Sequence, residues 1–276
     1  MVSECFEFFA DCHAHFAGQN ADDFFCNCGN AKNGILAAAC FCTNNIEENL
    51  QISKLAAQTE VRYKARHAPQ SFNIPENIII SAYGIHPLDL QSQTSLQIAG
   101  NLENLQNLAR NKQIRAVGEI GFDFRNARLR QFEELQCRYF EEQLAIAEKF
   151  SLPLIVHSVR GTQKLFEYAP KLQKLPGVIF HCWGGTYTES QYLLGKGVNA
   201  WFGFGNNLLQ GKKSAIEAAQ KLPLNRILPE TDFPFAGSAK CRNAVSQIEA
   251  VKTVYEKLSE LLQIEQFELA QNLYCN

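Results

Sequence analysis

The residues of this chain best suited to metal chemistry are its histidines, which are few and unevenly placed. Four of the six stand at the end of a short apolar run and a fifth lies just beyond another. These five are His13, His15, His157, His181 and His86. Side chains alternate along an extended segment, so His13 and His15 point to one side and suit a divalent ion. A His-x-His pair alone is a weak signal, and a hydrogen-bonded core histidine is the alternative at each position.

Two carboxylates end apolar runs in the same way. Glu119 follows Ala116–Gly118, and Asp232 follows Arg226–Thr231. A carboxylate at the end of a buried strand is costly unless it is paired or bound to a metal. Glu119 is therefore predicted to be a metal ligand, with a buried salt bridge as the alternative.

Together, these side chains provide ligands for two ions. The simplest division places one ion on His13, His15 and Asp232 and a second on His157 and His181, with Glu119 bridging. Two divalent ions carry four positive charges and the two carboxylates remove two, so the site suits an anionic phosphodiester. The sequence leaves Mg²⁺, Mn²⁺ and Zn²⁺ open.

Short apolar runs that alternate with helical patterns position these groups. Eight runs are predicted as strands: Phe6–Asp11, Ile35–Thr43, Asn77–Gly84, Ile114–Glu119, Leu152–His157, Val178–His181, Asn199–Gly205 and Arg226–Thr231. Nearly all-apolar strands indicate a parallel sheet buried on both faces. Eight successive βα units favour an α/β fold of the TIM-type (β/α)8 barrel over an open sheet, with residues 1–276 as one domain. In such a barrel the C-terminal strand ends share one face, so ligands distant in sequence are predicted to meet.

Composition excludes several classes of protein. Net charge is only −2, so nucleic acid would have to bind through a local patch or through metal. Ten cysteines form no C-x-x-C pair, which is typical of reduced thiols and not of a zinc ribbon or a disulfide scaffold. No apolar run approaches the ~20 residues of a membrane span, and no signal peptide is evident. A cytoplasmic monomer is expected.

Six motifs, in order and spacing, resemble those of the TatD family of metal-dependent deoxyribonucleases, within the amidohydrolase-like barrels. They are Asp11–Phe16, Gly84–Pro87, Val117–Asp123, Leu152–Ser158, His181–Gly185 and Glu230–Pro234, and the resemblance covers nearly the whole chain. It implies a TIM-type barrel and metal-dependent hydrolysis of DNA, often 3′-to-5′.

By position, the resemblance also implies roles for individual residues. The matched metal ligands are His13, His15, Glu119, His157, His181 and Asp232. Asp232 would accept a proton from the attacking water, and with Glu119 it is predicted to be catalytic. His86 would meet the substrate phosphate, although a loop residue that shapes the turn before Pro87 is the alternative.

The chain departs from the family pattern at three places. Val159 stands where an arginine is usual, with Arg160 displaced by one position. Phe124 replaces a frequent tyrosine, and Asn243–Val245 lacks a usual proline. These departures affect substrate choice and rate and leave the metal ligands intact.

Basic and aromatic residues in predicted loops suggest a rim for single-stranded DNA. The basic residues are Arg125, Arg128, Arg130, Lys212, Lys213, Lys240 and Arg242, and the predicted stacking surfaces are Phe124, Trp183 and Phe233. Solvated charges and core aromatics are the alternative. Two rival functions remain: a hydrolase of esters, lactones or aminoacyl-tRNA on the same metal site, and a barrel that binds without catalysis. Glu119 in place of a carboxylated bridging lysine favours the phosphodiesterase.

Overall fold

The computed structural model describes residues 7–20, 25–26, 34–66, 79–235 and 246–274. Eight parallel strands form a nearly closed barrel in the order β1-β3-β4-β5-β6-β7-β8-β9, with the short β2 antiparallel to β3. The strands are β1 (Glu7–His15), β2 (Phe25–Cys26), β3 (Gly34–Thr43), β4 (Ile79–Tyr83), β5 (Ala116–Asp123), β6 (Leu154–Val159), β7 (Val178–Phe180), β8 (Ala200–Phe204) and β9 (Ile227–Pro229).

Helices connect most of the strands and cover the outside of the barrel. They are α1 (Ile46–Arg66), α2 (Ser95–Arg110), α3 (Ala127–Arg130), α4 (Glu133–Phe150), α5 (Thr162–Leu172), α6 (Tyr187–Gly195), α7 (Asn206–Leu209), α8 (Lys213–Lys221), α9 (Gln247–Leu262) and α10 (Gln266–Tyr274). Local sequence defines several ends. Thr94 and Thr186 each form a capping box at the start of α2 and α6. The threonine hydroxyl accepts the backbone N–H of Gln97 or Glu189, and the side chain of that residue accepts the backbone N–H of the threonine.

The barrel core explains why the strands are almost purely apolar. Every residue of β5 is buried, as expected for a strand covered on both faces. Bulky side chains such as Phe180, Phe202 and Phe204 are fully buried between the sheet and the helices. A backbone packed this tightly fixes the directions of the side chains at the strand ends.

The barrel closes where β9 and the segment after it meet β1. The amide of Asp232 donates to the His13 carbonyl at 3.0 Å, and the amide of His15 donates to the Phe233 carbonyl at 2.7 Å. The buried Asp11 carboxylate reinforces this seam, since it accepts the Thr231 amide at 3.0 Å, the Thr231 hydroxyl at 2.6 Å and the Gln247 amide at 2.8 Å. Burial raises the pKa of Asp11 to about 6, and the hydrogen bonds oppose that rise.

The predicted barrel and all eight of its strands are confirmed, with shifted ends. The first strand does not stop at Asp11, since β1 continues to His15, and β5 runs on from Glu119 to Asp123. Phe6 and residues 77–78 of the predicted strands lie outside the described residues. The sequence did not predict β2. Among the described residues, no helix has the length and apolar character needed to cross a membrane.

Candidate metal centre

His13 and His15 bring their imidazoles together from the C-terminal end of β1. The pairing of β1 with β3 shifts register between Asp11 and Ala14, the stretch that carries His13. Each Nε2 lies 3.4 Å from Asp232 Oδ1 and 3.6 Å from Glu119 Oε2. Both imidazoles therefore point toward the same two carboxylates, as the alternation of side chains along β1 predicts.

His157 on β6 and His181 just after β7 form the second imidazole pair. His157 Nδ1 lies 2.7 Å from Glu119 Oε1 and 3.1 Å from His181 Nε2. His181 Nε2 is itself 2.6 Å from Glu119 Oε1. Both rings are buried, and they stack with their centroids 5.3 Å apart.

Glu119 stands between these two pairs. Its Oε2 faces His13 and His15, whereas its Oε1 faces His157 and His181. Burial alone would raise the pKa of this carboxyl, but the surrounding imidazoles lower it well below its ordinary value. Glu119 therefore presents an ionised carboxylate with one oxygen toward each pair.

Asp232 completes the first group from the opposite side of the barrel seam. It follows β9 with φ 57, a left-handed conformation, and its side chain is 22% exposed. Burial favours the neutral carboxyl, but the neighbouring imidazoles of His13 and His15 outweigh burial and lower the pKa of Asp232. Asp232 is thus ionised and open to the cavity, as a ligand or a proton acceptor must be.

His86 shapes a turn and also faces the centre. Its Nδ1 accepts the Leu88 amide at 3.0 Å, while its own amide donates to Asp89 Oδ2 at 3.2 Å. Its Nε2 lies 3.3 Å from Glu119 Oε1. A neutral imidazole that accepts at Nδ1 carries its proton at Nε2, so His86 offers a hydrogen-bond donor to the cavity rather than a lone pair. The turn-shaping alternative is thus seen in the structure, and the contact of His86 with a substrate phosphate stays a prediction.

Two residues that support the histidines were not assigned roles from the sequence. Asp123 Oδ2 lies 3.0 Å from His157 Nε2, and the Arg125 guanidinium pairs with both Asp123 oxygens. The Cys42 thiol lies 3.3 Å from His13 Nδ1. Such outer contacts fix the ring orientation of metal-binding histidines. The sequence could have indicated the role of Asp123, because this residue stands at the end of β5, near the level of His157 on β6.

The donor set fits divalent metal. Two atoms bound about 2.1 Å from one ion lie roughly 3.0–3.4 Å apart at angles between octahedral and tetrahedral. The distances from His13 and His15 to Asp232 and Glu119, 3.4 and 3.6 Å, and the 3.1 Å between His157 and His181 fall near this range. Glu119 Oε1 lies closer to His157 and His181, at 2.7 and 2.6 Å. His13 Nε2 is buried and has no hydrogen-bond partner among the described residues, which metal ligation would remedy. His13, His15 and Glu119 form one group of converging ligand atoms, and Glu119 and His157 converge in a second group, where His86 faces them with its Nε2–H.

Glu230 is a buried carboxyl beside the centre that does not face it. Its Oε1 accepts the Cys182 amide at 2.6 Å, and the Cys12 thiol donates to its Oε2 at 3.9 Å. A Cβ added at Gly203 would lie 2.1 Å from Glu230 Oε2, so glycine is needed there. Burial, followed by repulsion from Asp232, raises the pKa of Glu230 well above its ordinary value. Glu230 thus holds the segment after His181 in place.

Two adjoining cavities open onto the metal centre. The first, of about 570 Å³, is lined by Phe16, Glu48, Asp89 and Phe235 besides the ligands. The second, of about 460 Å³, is lined by Ser158, Arg160, Glu189 and Lys212. Arg125 and the predicted ligands His157, His181 and Asp232 line both. Their sizes are typical of small-molecule and nucleotide sites.

The predicted cationic rim is present only in part. Arg125 and Lys212 line the cavities, whereas Arg128, Arg130 and Lys213 do not. Arg160, displaced from the family position, lines the second cavity. Lys240 and Arg242 lie outside the described residues.

The predicted aromatic surfaces are largely wrong. Phe124 is 4% and Trp183 2% exposed, because Phe122 packs on the former and Phe180 and Phe202 on the latter. Phe233 is half-buried against the core. The exposed aromatic at the site is Phe235, which is 70% exposed and lies edge-on to His15 at 5.1 Å between ring centroids.

Comparison with known proteins places the chain among related sequences. A family model described as TatD-related DNase matches residues 10–276. A 3′-5′ ssDNA/RNA exonuclease TatD from Escherichia fergusonii is 30% identical over 74% of this chain and 68% of its own length. The uncharacterised metal-dependent hydrolase YabD from Bacillus subtilis is 26% identical over 70% of this chain and 74% of its own.

Solved structures share the fold. The crystal structure of YjjV, a TatD homologue from Escherichia coli, superposes with a TM-score of 0.74 at 24% identity, covering 97% of this chain and 95% of that one. A TatD-family hydrolase from Entamoeba histolytica gives a TM-score of 0.64 at 18% identity, covering 99% and 97%. The converging ligands, the barrel and the match across residues 10–276 lead to one conclusion: this chain belongs to the TatD-related DNase family of metal-dependent hydrolases.

Proposed function

We propose that this protein is a phosphodiesterase that removes nucleotides from single-stranded DNA in the 3′-to-5′ direction with two divalent ions. The observation that carries the proposal is the position of Glu119, with one carboxylate oxygen toward each imidazole pair. The relatives named as 3′-5′ ssDNA/RNA exonucleases support the direction and the substrate.

Two groups of ligands would hold the two ions. His13, His15 and Asp232 would hold the first and His157 and His181 the second, with Glu119 shared. When bound, the ions would activate a water and neutralise the charge of the phosphodiester. Imidazole suits Zn²⁺, and carboxylate suits Mg²⁺ and Mn²⁺. The four histidines therefore favour Zn²⁺, whereas the two carboxylates also suit Mg²⁺ or Mn²⁺.

Two side chains would act on the substrate directly. Asp232 is ionised and 22% exposed, so its carboxylate can accept a proton from the attacking water. His86 holds its proton at Nε2, because Nδ1 accepts the Leu88 amide. That N–H would donate to a non-bridging phosphate oxygen, in keeping with the substrate contact implied by the family resemblance.

The test is degradation of 5′-labelled single-stranded DNA with added Mg²⁺, Mn²⁺ or Zn²⁺. The wild-type protein should give a ladder shortened from the 3′ end that requires metal, and Asp232→Ala should abolish it. Lys213→Gln is the matched control, because Lys213 does not line either cavity. If folded, metal-loaded wild-type protein leaves the DNA intact, the proposal fails. Ester, lactone and aminoacyl-tRNA substrates would then be tested, and absence of bound metal would indicate a non-catalytic barrel.

We propose in addition that residues 1–276 form one domain, acting as a cytoplasmic monomer. Cys12, Cys40, Cys42, Cys137 and Cys182 are free thiols, in keeping with a reducing compartment. Light scattering during size-exclusion chromatography would test the monomer, and limited proteolysis would test the single domain.

A further inference from the structure

The two cavities beside the metal centre carry opposite charge. Apart from the metal ligands, the first cavity contains the carboxylates of Glu48 and Asp89. The second contains the cations Arg160 and Lys212, opposed by Glu189. Arg125 borders both, but its charge is balanced by Asp123.

The charges of the first cavity are held in place by neutral donors. Glu48 Oε2 accepts the Thr43 hydroxyl at 2.5 Å, and Asp89 Oδ2 accepts the Asn44 amide at 2.6 Å. Within the described residues, no lysine or arginine lies within ion-pair distance of either carboxylate. Both negative charges are therefore directed at whatever occupies this cavity.

The second cavity is suited to an anion. Lys212 Nζ lies against Gly184, where an added Cβ would come within 2.3 Å of it, and forms no ion pair with a described residue. Arg160 donates to the Arg125 carbonyl at 3.1 Å and likewise has no described carboxylate partner. Ser158 Oγ also lines the cavity, buried and without a hydrogen-bond partner in the described ranges. Glu189 is engaged in the capping box of α6, which reduces its influence on the cavity.

We infer that this asymmetry sets the direction of the nucleic acid, with the 3′-terminal nucleoside in the first cavity and the upstream strand in the second. The inference rests on the proposed 3′-to-5′ activity. When the scissile phosphate lies at the metal centre, the terminal nucleoside ends in a neutral 3′-hydroxyl. This hydroxyl can donate a hydrogen bond to the carboxylate of Glu48 or Asp89. The upstream side carries a phosphate at every nucleotide, which Arg160 and Lys212 attract. A strand ending in a 3′-phosphate would bring a dianion against two carboxylates and be disfavoured.

The experiment compares two 5′-labelled oligonucleotides of one sequence, ending in a 3′-hydroxyl or a 3′-phosphate. Wild-type protein should cleave the hydroxyl-ended strand about tenfold faster or more, the effect of roughly one unfavourable charge contact near a protein surface. Glu48→Gln and Asp89→Asn, made separately, should each reduce that ratio severalfold. Two independent variants keep the test valid if one of them fails to fold.

Changes in the second cavity should affect both strands equally. Lys212→Gln should weaken binding of both oligonucleotides, followed by fluorescence anisotropy in an Asp232→Ala background, and reduce the salt dependence by about one contact. The neighbouring Lys213→Gln is the control and should bind as the parent does.

The outcomes separate this inference from the proposed function. Degradation from the 3′ end without preference for the 3′-hydroxyl would overturn the inference and leave the activity standing. A preference unchanged in both Glu48→Gln and Asp89→Asn, or altered by Lys212→Gln, would overturn it as well. If wild-type protein degrades neither oligonucleotide, the proposed function itself fails.

Discussion

Asp123 should control one of the two proposed metal sites and not the other. Its carboxylate touches His157 Nε2 at 3.0 Å and none of His13, His15 or Asp232. Burial opposes ionisation of Asp123, but the bonds to His157 and Arg125 lower its pKa. With metal bound, the ionised carboxylate would hold the His157 proton at Nε2 and leave Nδ1, which faces Glu119, for the ion.

The expected size of the effect follows from that contact. A hydrogen bond to an ionised group contributes about 1.5–3 kcal/mol, and loss of a second-sphere partner lowers metal affinity about 10–100-fold. Asp123→Asn preserves volume and removes charge. It should therefore weaken only the site that contains His157, about 10–100-fold, and leave the site of His13 and His15 within about twofold.

Calorimetric titration of metal-free protein with Mn²⁺ or Zn²⁺ measures both affinities. Arg125→Gln is the control. Like Asp123→Asn, it removes the ion pair between Arg125 and Asp123, but it keeps the hydrogen bond between Asp123 and His157. The reasoning would be refuted if Asp123→Asn weakened both sites equally or neither, or if Arg125→Gln reproduced its effect.

Three further variants test the barrel seam, the strand packing and the aromatic at the mouth. Asp11→Ala leaves donors of Thr231 and Gln247 unsatisfied and should lower the free energy of unfolding by about 3 kcal/mol or more in urea titration; a loss below about 1 kcal/mol would contradict its part in closure. Gly121→Ala should destabilise by a similar amount, because φ is 144 and the new Cβ would lie 2.0 Å from the His157 carbonyl oxygen; an unchanged melting temperature would count against this. Phe235→Ala should weaken binding of single-stranded DNA by about 1–3 kcal/mol in anisotropy while the protein stays equally stable. Leu96→Ala serves as its control, because Leu96 is exposed and lines neither cavity, and equal binding by both variants would remove Phe235 from the site.

The convergence of the predicted ligands follows from the sequence because their positions depend on the strands. Parallel strands of similar length place their C-terminal ends on one face, so polar residues such as Glu119 and His181 after apolar runs converge wherever the loops go. The barrel follows from the same pattern, since eight buried runs repeat along the chain. β2 is only two residues long and pairs only with β3, so no periodicity marks it.

The surroundings of the centre were less predictable because they depend on packing. Whether an aromatic faces a cavity or the core is decided by its neighbours, and Trp183 is enclosed by Phe180 and Phe202 although it follows a strand end. Glu48 and Asp89 come from the segments after β3 and β4, and nothing in their spacing indicates that they line a common cavity. The sequence analysis did not consider Phe235 as a stacking surface. Its position directly after the motif Glu230–Pro234 was the signal that could have identified it.

The same strand closes the barrel and begins the metal centre, which couples stability to function in this fold. Asp11 fastens β1 to the segment after β9, and His13 and His15 follow it by two and four residues. The seam bonds from Asp232 to the His13 carbonyl and from His15 to the Phe233 carbonyl join the same three ligands through their backbones. Separation of the seam would thus pull Asp232 away from both histidines. A metal held by these three side chains would in turn oppose opening of the barrel, because it binds the closed form and not the open one.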